Sequence, residues 1–88
     1  MKLIDRIRTD LRAAADVERA PAMQAYMKSA MPFLGVPAAA VRSITSTALR
    51  THPPADLDGL RAAVLALWDE AEFREERYAA QNLYAPLR

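Results

Sequence analysis

The chain has no cysteine, one histidine, one tryptophan and two glycines among its 88 residues. Without cysteine there is neither a disulfide framework nor a thiolate metal site. His52 stands alone, with no partner at metal-ligand spacing and no thiol to activate, which leaves only weak Ser/Thr options for a nucleophile–base pair. Two glycines leave no glycine-rich loop to cradle a nucleotide. Apolar runs are short and broken by charge, which excludes a transmembrane helix. The start, Met1-Lys2-Leu3-Ile4-Asp5-Arg6, is charged throughout and lacks the apolar core and cleavage site of a secretion signal, so a cytoplasmic protein without membrane contact is the default. Nor does any segment alternate with period two for long enough to make a strand.

What is present reads as helix. Hydrophobic residues make up 52% and charged residues 26%, close to ordinary globular usage, so the chain folds. At this length it forms one small unit, residues 1–88, with a core too small to be robust alone. The net charge of +1 hides an asymmetry. Residues 1–52 carry eight Lys/Arg against four Asp/Glu, whereas residues 53–88 carry four against seven. A polyanion is attracted to the first part and repelled by the second.

The 3.6-residue period defines about five helices. Leu3, Ile4, Ile7 and Leu11 form a narrow apolar stripe over about Lys2–Ala15, with Lys2, Arg6, Arg8 and Arg12 solvating its edges. A second helix starts either at an Asp16 cap or nearer Ala20, since Pro21 belongs in a first turn. Met23, Met27, Ala30 and Met31 give it a stripe that reads as core, until Pro32 ends or kinks it and Gly35 allows a backbone turn. The third helix runs from Pro37 to about Thr51, burying Val41, Ile44, Ala48 and Leu49. On its other side Arg42, Ser46 and Arg50 recur at i, i+4, i+8 with Ser43 beside them. Such a face is either plainly solvated or a row of phosphate contacts.

His52-Pro53-Pro54 separates two helices, with His52 as a cap or surface residue. Asp56 caps the fourth helix, in which Leu57, Leu60, Val64, Leu67 and Trp68 keep helical spacing and Trp68 is the expected buried anchor. The fifth begins near Glu72, with Phe73, Ala80, Leu83, Tyr84 and Leu87 inward and Glu72, Arg74, Glu75, Glu76 and Arg77 on its wet face. The Asp69-Glu70-Glu72 cluster falls at a helix junction, where capping and solvation explain it better than acid–base chemistry.

One stretch is more specific. Tyr26-Met27-Lys28, then Phe33-Leu34-Gly35-Val36, then a helix bearing Arg42, resembles the N-terminal region of the DNA alkylation repair family, the AlkD-like glycosylases built from HEAT-like repeats. Leu67-Trp68-Asp69 and the helix after it are similar to that family's next repeat, so the resemblance spans essentially the whole chain. It implies antiparallel helical pairs of an α-solenoid whose basic concave face grips duplex DNA by its backbone. It also implies excision of cationic alkylated purines without a metal or other cofactor, by an aspartate and tryptophans in later repeats. Trp68-Asp69 are not those residues, so no catalytic residue is expected here. The chain then reads as a truncated N-terminal segment. The family often has a Pro-Glu pair and two adjacent arginines at the start of the third helix. This chain has Ala38-Ala39-Ala40-Val41-Arg42-Ser43, with a single arginine.

Two functions follow. In the first, the chain is the scaffold and DNA-backbone-binding part of a glycosylase, with Tyr26, Lys28, Arg42, Ser46 and Arg50 facing duplex DNA. In the second, it is a non-catalytic interaction module. A solenoid cut after its first repeats exposes an apolar face, which predicts self-association or a completing chain docked through Phe73, Leu83 and Leu87.

Overall fold

The structure, a computed structural model, describes residues 2–85. It is all-α among these residues, with five helices: α1 Lys2–Ala13, α2 Ala20–Met27, α3 Ala38–Thr51, α4 Leu57–Asp69 and α5 Arg74–Tyr84. The stripe of α1 does what its spacing predicts. Leu3, Ile4, Ile7 and Leu11 are all buried, against Val41 and Ala48 of α3, Ala63 and Leu67 of α4, and Ala79, Ala80 and Leu83 of α5. Small residues on α4 and α5 let their backbones approach closely, and α5 packs on α1, α3 and α4 alike. Helix α2 packs on no other helix and buries no residue fully.

Several local expectations give way to tertiary contacts. Helix α1 stops at Ala13, and Asp16 then donates its backbone N–H to the Leu34 carbonyl at 2.9 Å. Asp16 caps the turn before α2 by accepting from the Glu18 and Arg19 N–H groups, and α2 itself starts at Ala20 with Pro21 in its first turn. That helix ends at Met27, with Lys28 left-handed at its C-cap, well before Pro32, the proline expected to end it. Its methionines are not core: Met27 is 50% exposed, because no helix lies over it. Trp68 is 37% exposed rather than a buried anchor, and Leu57 is exposed as well. The fully buried positions of α4 are Ala63 and Leu67. Leu83 is fully buried and so is not exposed to receive another chain, Phe73 is half-buried against the core, and Leu87 lies outside the described residues.

The largest departure concerns α5. Its expected wet face contains Glu75 and Glu76, both fully buried. Glu75 accepts three backbone hydrogen bonds, from Leu34 N at 2.8 Å to one oxygen and from Gly35 N at 2.8 Å and Val36 N at 3.0 Å to the other. No cation reaches it among the described residues. Its charge is met by consecutive amide dipoles and by the positive end of α5, where it occupies the first turn. Glu76 accepts from the Glu72 and Phe73 N–H groups at 3.0 and 3.1 Å, the carboxylate half of a capping box. It also receives Arg8 Nε at 3.0 Å and Arg12 at 3.5 Å from α1. The arginines expected to solvate α1 therefore tie it to the α4–α5 corner, where Glu70 and Glu72 complete the network.

Gly35 makes the Glu75 contact sterically possible. Its φ is +93°, and a Cβ there would sit 2.2 Å from the Asp16 carbonyl oxygen. The Phe33-Leu34-Gly35-Val36 sequence is thus a backbone nest, closed on one side by Asp16 and on the other by Glu75.

Glu75→Ala strands three buried donors and is expected to remove about 3–5 kcal/mol, against a total of about 4–13 kcal/mol for a domain this size. Glu75→Gln keeps one acceptor oxygen but turns an amide donor toward an N–H, so about half that loss is expected. Urea unfolding followed by helical circular dichroism checks both. Equal midpoints for wild type and Glu75→Ala would show that the nest closes without the carboxylate.

Candidate functional site

The segment from Met27 to Pro37 leaves α2, passes the nest and enters α3, and its fixed course creates two adjoining concavities. The larger, about 750 Å³, lies between α2, the nest, α3 and α5. Met23, Tyr26 and Met27 form one wall, Phe33 and Val36 the floor, and Val41, Arg42, Tyr78, Gln81 and Asn82 the other wall. Phe33 meets Tyr78 edge-on at 6.1 Å between ring centroids. The smaller concavity, about 550 Å³, shares Met27 and continues along Lys28 to Pro32, facing Glu72, Arg74 and Arg77. Its loop is held by Ser29, whose hydroxyl donates to the Met31 carbonyl at 2.9 Å and accepts from the Met31 N–H. At its far end Arg74 N donates to the Pro32 carbonyl at 2.9 Å.

The five residues singled out from sequence separate into two groups. Tyr26, 86% exposed, and Arg42 line the larger concavity, and Lys28 lines the smaller one beside it. Ser46 and Arg50 are exposed further along α3 and line neither, with Arg50 donating to Thr47 Oγ1 at 3.4 Å.

Sequence reasoning passed over Arg74 and Arg77 as solvated. In the structure Arg74 lies over the Tyr78 ring at 5.5 Å and Arg77 over the Trp68 ring at 4.7 Å, each held by a cation–π contact. The signal was present, because Arg74, Arg77, Tyr78 and Gln81 recur at i, i+3, i+4, i+7 and so share one face of α5.

Charge pairing divides the molecule. Arg6, Arg8, Arg12, Arg19 and Arg61 each reach a carboxylate within 3.9 Å. Among the described residues, Lys2, Lys28, Arg42, Arg50, Arg74 and Arg77 reach none. Four of these six line the two concavities. Cations beside apolar and aromatic walls, with no carboxylate in ion-pair reach, suit a ligand that brings both negative charge and flat apolar surface. Among the described residues no cluster of three acidic or histidine side chains is placed to hold a metal, and no helix is long and apolar enough to cross a membrane.

Lys28 is the one described non-glycine residue with positive φ, at 50°. It ends α2 by donating its N–H to the Ala25 carbonyl, a position glycine fills without strain. A lysine there accepts an unfavourable backbone conformation and leaves its side chain exposed.

A family model described as "DNA alkylation repair enzyme" matches residues 7–88. No curated protein and no solved structure shows a significant match to the chain.

If Lys28 is kept for its side chain rather than for its turn, Lys28→Gly should raise stability by about 0.5–1 kcal/mol. The midpoint of urea unfolding measures this. A lower midpoint would mean that the lysine stem holds the turn.

Proposed function

Since the chain belongs to the DNA alkylation repair enzyme family, and its role lies in DNA alkylation repair, we propose that it is the N-terminal, backbone-gripping part of a cytoplasmic glycosylase that excises cationic alkylated purines. The observation that carries this reading is the set of unpaired cations beside Tyr26 in a cleft walled by α2, α3 and α5. Lys28 and Arg42 meet phosphate oxygens, Tyr26 lies along the sugar–phosphate edge, and Ser46 and Arg50 extend the row along α3. Contacts of this kind set affinity and register while leaving base sequence unread.

Alkylation of a ring nitrogen makes the purine cationic, so breaking its N-glycosidic bond releases a neutral base. The enzyme then has little leaving-group chemistry to supply. What it must do is hold the duplex so that groups from other repeats reach the sugar. A frame of five helices fixed by the buried Glu75 and Glu76 contacts suits that task, and the catalytic residues lie on the repeats that follow in the family.

Electrophoretic shift of a short duplex at low and moderate salt tests the grip. Wild type should bind with an affinity that falls steeply with salt. Lys28→Ala/Arg42→Ala should bind about tenfold more weakly, with a salt slope shallower by about two. The chain itself should release no base from a methylated duplex. Equal affinity and equal slope in the double variant would overturn the assignment of these residues.

A further inference from the structure

We infer that Arg74 and Arg77 of α5, together with Lys28, form an oxyanion site that takes a phosphate group. The inference deepens the DNA-binding reading, on which its choice of duplex as natural ligand rests.

Three observations carry it. First, the three side chains line one concavity of about 550 Å³, with the Ser29–Pro32 backbone opposite Arg74 and Arg77. Second, neither arginine makes a side-chain hydrogen bond or ion pair among the described residues, although the Nε of each is buried. Each Nε is sealed from solvent, so the accessible, unpaired Nη donors are the ones left to meet an oxyanion in the concavity. Third, both guanidiniums are held in place, Arg74 over Tyr78 and Arg77 over Trp68. Stacked planar guanidiniums keep their in-plane donors for a planar or tetrahedral oxyanion, and little side-chain freedom remains to be lost on binding.

The local charge balance agrees. Glu72 is the acid lining this concavity, and its carboxylate is turned to Arg12 at 3.6 Å. The neighbouring Glu75 and Glu76 are buried and engaged by backbone amides and by α1. Three cations therefore face one acid that is already shared. The strained backbone of Lys28 is consistent with the same purpose, since it sets the third cation at the rim.

The test reads the two arginines directly. Nε–Hε correlations of Arg74 and Arg77 are followed by NMR during titration with a short duplex and, separately, with inorganic phosphate. Duplex affinity is measured by fluorescence anisotropy for wild type, Arg74→Gln/Arg77→Gln and the charge-retaining Arg77→Lys. Urea midpoints confirm that each variant is folded.

Both correlations should shift with duplex. The glutamine double variant should lose about tenfold in affinity and flatten the salt slope by one to two, while Arg77→Lys recovers part of it. Shifts with millimolar phosphate but no binding of duplex would support the oxyanion site and overturn the DNA reading. Duplex binding that leaves both correlations and the double variant's affinity unchanged would overturn the site and leave the DNA reading standing. Silence toward both ligands would overturn the site.

Discussion

A buried carboxylate gathering three consecutive backbone N–H groups is the contact on which the rest of this structure depends. Glu75 is the residue that turns an irregular segment into a rigid one, because Leu34, Gly35 and Val36 could not otherwise be buried with their amides unmet. The contact joins the segment after α2 to the first turn of α5, about forty residues away in the chain. Gly35 permits it by its positive φ and by leaving room for the Asp16 carbonyl. Glu76 does parallel work one residue on, satisfying the start of α5 while receiving two arginines of α1. Adjacent acids on one helix thus fasten α5 to the nest through Glu75 and to α1 through Glu76.

This arrangement explains why α2 can remain outside the helical core. It is held by its flanking segments rather than by a face of its own, so Met23, Tyr26 and Met27 stay at a surface. The cations nearby are unpaired for a related reason. The acids of α5 that might have neutralised Arg74 and Arg77 are turned inward, and aromatic rings support those guanidiniums instead. The structural use of Glu75 and Glu76 and the positive character of the two concavities therefore have one origin. Family membership places the chain in DNA alkylation repair, and the duplex proposed as its partner is a polyanion.

Much of the fold was legible from periodicity. The stripe of α1, the Asp56 cap, which accepts from Gly59 N at 2.8 Å, and the break at Pro53-Pro54 are local effects that need no knowledge of the remaining chain. Tyr26, Lys28 and Arg42 could be singled out through a motif, and their common placement along two joined concavities goes beyond what a motif describes. Trp68 was misread because helical spacing identifies a face, but not whether enough neighbours exist to cover it. Leu83 is inward as its spacing predicts, and it is not exposed as a docking residue because α1, α3 and α4 already cover that side of α5.

What the sequence determined by itself was therefore the helical class, the approximate helix limits, the apolar stripe of α1 and the family likeness carried by Tyr26–Val36. Those follow from interactions between residues a few positions apart. Only the tertiary structure decided that two glutamates on a seemingly wet helix are its most buried polar groups, and that two arginines beside them are left without acids. A carboxylate's partners can be amides contributed by a distant loop, and no spacing within α5 announces them.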